Sequence, residues 1–101
     1  MGFAIENILA AAPANAQASF YRTAAGAEID LVLEIPNHGL WAIEIKRGQT
    51  ARLERGFHVA CDDVQPTRKF VVNGGQDHYP LAPGLEAISL PLLAQELVAL
   101  V

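Results

Sequence analysis

Apolar and polar positions alternate most clearly between residues 27 and 46. From Ala27 to about Ile35, Ile29, Leu31 and Leu33 fall on one side of an extended chain. Glu28, Asp30, Val32 and Glu34 fall on the other. From Leu40 to Lys46 the pattern repeats, with Trp41, Ile43 and Ile45 opposite Ala42, Glu44 and Lys46. Pro36-Asn37-His38-Gly39 lies between the two runs and carries turn chemistry, so the segment predicts a β-hairpin.

The register of that hairpin decides what its polar residues can do. If Ile35 opposes Gly39, the loop has three residues, and Asp30 opposes Glu44 on the same face. Such a loop needs a left-handed residue, which Gly39 or Asn37 can provide. A two-residue loop would send the two carboxylates to opposite faces unless a bulge restored them.

Around this hairpin the pattern predicts further elements. Phe3, Ile5, Ile8 and Leu9 mark a helix from about Gly2 to Ala12, closed by Pro13, and Ala14–Ala18 forms a small-residue connector. Ser19–Thr23 reads as a first strand and Ala24-Ala25-Gly26 as a turn. Leu53, Phe57, Ala60, Cys61 and Val64 recur at helical spacing and predict a second helix over Gln49–Val64, with Thr50 as its N-cap. Arg68–Val72 is a short apolar strand. His78–Leu81 reads as an edge strand because of Pro80, and Glu86–Leu90 as another short strand. Pro91 opens a last helix carrying Leu92, Leu93, Leu97 and Leu100. The predicted class is α/β in the α+β sense, a single domain over residues 1–101. Its order is helix, three-stranded antiparallel meander, helix and strand, with a C-terminal helix.

Composition narrows the functional classes. At 101 residues and 51% hydrophobic content, the chain is apolar for its size. An exposed apolar patch, covered by a second copy or a missing domain, is expected. The net charge of −4 argues against strong non-specific nucleic-acid binding. The charge is uneven, however: Lys46, Arg47, Arg52 and Arg55 fall within ten residues, and Arg22 precedes the hairpin. The first four read equally as phosphate contacts and as a solvated helix face, whereas Arg22 reads more as sheet packing than as a phosphate contact. One cysteine, Cys61, excludes an intrachain disulfide and a cysteine-based zinc site. The three histidines are not at ligand spacing. No secretory signal, myristoylation motif or membrane-spanning run is visible, and a cytoplasmic location is expected. Ser19 and Ser89 lack an identifiable base, which disfavours a serine hydrolase.

The remaining chemistry gathers on the hairpin. Asp30 and Glu44 at opposed positions offer two oxygen ligands to Mg²⁺ or Mn²⁺, and the backbone carbonyl of Ile45 a third. Lys46 returns to the same face, where its ammonium can orient a water or offset charge on a phosphate. Glu6 or Glu28 would complete the shell. The competing reading is an exposed sheet face with ordinary cross-strand ion pairs from Lys46 to Glu28 and Asp30.

Asp30, thirteen intervening residues, then Glu44-Ile45-Lys46, each half within an alternating strand, resembles the core of the PD-(D/E)xK nuclease superfamily. The resemblance implies a restriction-endonuclease-like fold, with Asp30 and Glu44 as metal-binding acids, Lys46 as the lysine and Glu6 as the acid of the first helix. Phe3-Ala4-Ile5-Glu6-Asn7, Phe20-Tyr21-Arg22-Thr23, Gly26 to Val32 and Ala42 to Lys46 also resemble a narrower group. That group is a C-terminal domain of unknown function found downstream of AAA+-type ATP-binding domains. It implies hydrolysis of nucleic acid, or a non-catalytic accessory role in dimerisation or in docking to an ATPase partner. Binding of nucleic acid without chemistry is a third reading. The chain has no Gly-rich Lys-Ser/Thr loop, so it is not expected to bind ATP in that way. A detached domain, a truncated product or a stand-alone relative all fit that absence.

Overall fold

In a computed structural model, residues 2–46 and 55–100 are described. The order is α1 (Gly2–Ala11), β1 (Gln17–Arg22), β2 (Glu28–Ile35), β3 (Gly39–Ile45), α2 (Arg55–Val64), β4 (Arg68–Asn73), β5 (His78–Ala82), β6 (Leu85–Ser89) and α3 (Leu90–Val98). The expected α+β class and C-terminal helix are present. The six strands form one sheet in the order β1-β2-β3-β4-β6-β5. β1, β2 and β3 make the antiparallel meander, and β4 joins β3 in parallel after the α2 crossover. β6 joins β4 in parallel, and β5 pairs back on β6 as an edge strand, where Pro80 is tolerated.

The hairpin adopts the three-residue loop. Ile35 pairs with Gly39 and Leu31 with Ile43. His38 donates its N–H to the Ile35 carbonyl at 2.8 Å, and both Asn37 (φ 70°) and Gly39 (φ 83°) are left-handed. A side chain at Gly39 would also collide with Thr67.

Both faces of the sheet are covered. On one, Leu31, Leu33, Trp41, Ile43, Phe70 and Ile88 pack with Ile8 of α1 and with Leu93 and Leu97 of α3. On the other, Ile29, Val32, Ala42 and Val71 pack with Phe57, Ala60 and Cys61 of α2. Arg68 joins α3 to the first face. Its guanidinium lies 4.8 Å from the Trp41 ring and 4.6 Å from the Phe70 ring, and donates to Glu96 and Glu86. Burial works upward on the Glu86 carboxyl, but hydrogen bonds from His78 and Arg68 outweigh it and hold the group below its usual range.

Three expectations change. Ile29 lies with Val32 on the α2 face rather than with Leu31 and Leu33. The cause is a register shift between Ser19 and Tyr21 of β1, which sets one residue of β1 against two of β2 and reverses the parity of β2. The face carrying Glu44 is not the exposed sheet surface of the competing reading, because α2 covers it and Glu44 is 9% exposed. The last strand starts and ends one residue earlier than expected, and Ser89 caps α3, its Oγ accepting from Leu92 N–H at 3.3 Å. The expected α2 residues 49–54, with the Thr50 cap, lie outside the described residues.

Large apolar side chains are exposed on several elements. Phe3 (74% exposed) lies on α1, Phe20 (69%) on β1 and Val98 (59%) on α3.

Gly39→Ala is expected to cost roughly 2 kcal/mol or more, because it adds left-handed strain to the Thr67 collision. Urea unfolding measures it, and an unchanged midpoint would show that the loop does not hold the register.

Candidate functional site

The start of β2, with Asp30, lies beside the end of β3, with Glu44. The ladder pairs end at Leu31 and Ile43, and Asp30 and Glu44 are the residues next in line on each strand. There the Asp30 side chain takes the place of a ladder partner: its Oδ2 accepts the Ile45 N–H at 2.9 Å. A residue's N–H and C=O leave a strand on the same edge, so the Ile45 carbonyl also faces the β2 side. Lys46 donates its own N–H to Val72 of β4 at 2.8 Å, and its Nζ lies 3.5 Å from Glu44 Oε2. Asp30, Glu44 and Lys46 therefore converge, as the hairpin register requires.

The electrostatics of the group are unsatisfied. Burial beneath α2 raises the Glu44 carboxyl to about 7, helped by the charge of Asp30 and a hydrogen bond with it, while Lys46 works in the opposite direction. Glu44 Oε1 is buried with no donor among the described residues. Two carboxylates this close, one with an orphaned oxygen, are stabilised by sharing a proton or a cation. The donor set fits a hard divalent ion through Asp30, Glu44 and the Ile45 carbonyl.

A cleft of about 320 Å³ opens over the group, lined by Gly26, Glu28, Glu44, Lys46, Gly56 and Phe57. α2 comes close here because residue 56 is glycine: a Cβ on it would overlap the Gly26 carbonyl oxygen. No periodicity in the sequence singles this glycine out; the close approach appears only once α2 is laid across the β1–β2 turn.

The other expected residues fall differently. Glu28 lines the cleft but is exposed and pairs with Arg22 at 3.5 Å. Glu6 is exposed on α1, a helix that packs on the opposite face of the sheet from Glu44. Among the described residues, no three acidic, histidine or cysteine side chains gather into a metal-binding group. The expected contribution of Glu6 and Glu28 is thus not assembled. Arg22 stacks on Phe20 at 5.5 Å besides pairing with Glu28, and Arg55 is exposed at the start of described α2. Arg47 and Arg52 lie outside the described residues. Tyr21 donates to Asp63 at 2.9 Å, which ties β1 to α2 and accounts for one acid near the C-terminal end of that helix.

A surface depression of about 770 Å³ lies elsewhere, along β5 and the turn after it. Its ionisable groups His78 and Glu86 are already bonded to each other at 2.6 Å, and it gathers no comparable chemistry.

Comparison with known proteins agrees with a shared domain. Residues 2–93 match the family described as Domain of unknown function (DUF4143), and the chain belongs to that family. It is similar to the uncharacterized protein Rv2008c of Mycobacterium tuberculosis and to the uncharacterized protein Mb2031c of Mycobacterium bovis. It is 33% identical to each over 87 residues, which cover 86% of this chain. The chain spans about a fifth (19%) of the length of these relatives. No solved structure matches it. No helix among the described residues is long and apolar enough to cross a membrane.

The raised Glu44 carboxyl sets a pH dependence. Its ordinary value is 4.5 and its folded value about 7. Between the two, the folded chain holds a proton that the unfolded chain has lost, so stability falls as pH rises through that window and levels off above it. In divalent-free buffer, Glu44→Gln is expected to melt roughly 5 °C higher than the parent at pH 8. The gap should close near pH 5. Parallel melting curves of the two proteins across this range would contradict the assignment.

Proposed function

We propose that this domain is a metal-dependent, nuclease-like domain that hydrolyses phosphodiester bonds of nucleic acid. The observation that carries the reading is the convergence of Asp30, Glu44 and Lys46, with a buried Glu44 oxygen that has no donor. The resemblance of the Asp30 and Glu44-Ile45-Lys46 pattern to the PD-(D/E)xK nucleases supports it, as does the order of helix, meander, helix and parallel strand.

In this reading Asp30, Glu44 and the Ile45 carbonyl hold Mg²⁺ or Mn²⁺. When bound, the ion supplies Lewis acidity toward a phosphodiester and water. The protein's own groups do the rest. The Ile45 N–H fixes the Asp30 carboxylate, so its orientation is set before any ligand arrives. Lys46, held beside Glu44, donates to a non-bridging phosphate oxygen as charge builds there. Arg22 and Arg55, with Arg47 and Arg52, would contact neighbouring phosphates, and the reaction would take place in the cytoplasm.

A second reading has specific support. Phe3, Phe20 and Val98 are widely exposed, and the matched relatives are about five times as long as the aligned segment. An accessory domain that dimerises or docks to an ATPase partner would cover such residues.

Asp30→Ala and Lys46→Ala are each expected to lower Mn²⁺-dependent cleavage by roughly 100-fold or more while the fold persists. Loss of labelled single- and double-stranded DNA and RNA measures it. If the unaltered chain cleaves none of them with Mg²⁺ or Mn²⁺, the enzyme reading fails, and a dimer by light scattering would then favour the accessory role.

A further inference from the structure

The carboxylate cleft is not the only opening at this end of the sheet. β3, β4 and β6 run parallel, and their carboxyl ends lie together. The chain leaving β3 leads to α2 on one face, whereas the chain leaving β6 enters α3 on the other. Strand ends whose connections diverge leave a crevice, and in open sheets ligands settle in that crevice. Here it is a cleft of about 560 Å³ between β3 and β4, closed by Ala4 of α1 and by Leu90 and Pro91 at the start of α3. Lys46 lines both this cleft and the carboxylate cleft.

The chemistry of the second cleft is one-sided. Ile45, Val72 and Leu90 give it apolar walls, and the loop from Asn73 through Gly75 and Gln76 gives it a polar rim. Lys46 is the one charged residue among its described lining residues, and no acid joins it. Asn73 is 7% exposed, and its Oδ1 accepts the Gly75 N–H at 2.8 Å, so what it offers a ligand is its NH₂ group. A ligand suited to these walls has an anionic end at Lys46 and a flat, uncharged body bearing hydrogen-bond acceptors. The base and sugar of a nucleotide have that form, and the volume lies within the range of small-molecule sites.

We propose that this cleft receives the base and sugar of the nucleotide flanking the phosphate held at Lys46, which makes an unpaired strand the substrate. The inference rests on the phosphodiester reading of the Asp30–Glu44–Lys46 site. A base inserted between Val72 and Ala4 must leave its stack, which is least costly for a base already unpaired.

The test uses the full chain, Mg²⁺ and a phosphorothioate thymidine hexanucleotide that resists cleavage, followed by amide chemical shifts. Saturable shifts at Ile45, Val72, Gly74 and Gly75 are expected. Ala4→Trp, which fills the cleft away from the carboxylates, should weaken oligonucleotide binding about tenfold and leave Mn²⁺ affinity by calorimetry unchanged. The shift map of the unaltered chain decides the matter even if that variant folds poorly. Shifts confined to Glu28, Glu44, Lys46 and Phe57 would overturn the cleft assignment and leave the phosphodiester reading standing. Mn²⁺ binding with no oligonucleotide binding would overturn the assignment and the proposed substrate, sparing only the ion site. Absence of both would remove the underlying reading as well.

Discussion

The pairing of Ile35 with Gly39 across three loop residues is the constraint on which the site depends. Side chains on a strand alternate, so one residue more or less in that loop would place Asp30 and Glu44 on opposite faces of the sheet. The loop length is held by two left-handed residues and by Thr67, which leaves no space for a side chain at position 39. A local backbone requirement at one end of the hairpin thus controls the electrostatics of the other end.

Those electrostatics run against stability. A carboxyl raised to about 7 beside a second carboxylate is charge repulsion under a helix, which Lys46 offsets only in part. A fold selected for packing alone has an easy remedy in a neutral residue at position 44, flanked as it is by Ile43 and Ile45. Elsewhere the same chain satisfies its polar groups well. Arg68 meets two carboxylates and two aromatic rings, and Glu86 receives both Arg68 and His78. The contrast between a satisfied network at the α3 side and an unsatisfied one at the hairpin end is what supports the proposal of chemistry at the latter.

How far this was legible without coordinates depends on how local each feature is. The two strands and their turn follow from period-2 alternation and turn chemistry within twenty residues, and the convergence of Asp30, Glu44 and Lys46 follows once the loop is fixed at three residues. The position of Ile29 was not legible, because the register shift that turns it belongs to the pairing with β1 and leaves no mark in β2 alone. Burial of Glu44 was not legible either. It comes from α2, joined to the site only through packing of Phe57 and the approach of Gly56 to Gly26. Glu6 illustrates the opposite failure: its place on the first helix matched a family pattern, but α1 packs by Ile5 and Ile8 against the other face. Helical spacing says which residues are buried, not which side of a sheet receives them.

The two openings at the carboxyl end of the sheet follow from the same topology. Because β3 leads to a helix on one face and β6 to a helix on the other, α2 and α3 approach the ends of β3 and β4 from opposite faces, and Lys46 lines the cleft left on each side. An amine at that place sees two carboxylates on one side and an uncharged hollow on the other. In the proposed reading, a ligand that spans it with its negative group at the amine would place its neutral part in the hollow and its reactive bond over the acids. That division of labour requires no movement of the backbone, since β4 fixes Lys46 through the Val72 carbonyl and Ile45 fixes Asp30. In that reading, binding would draw on shape and charge already in place rather than on closure of the domain around its ligand.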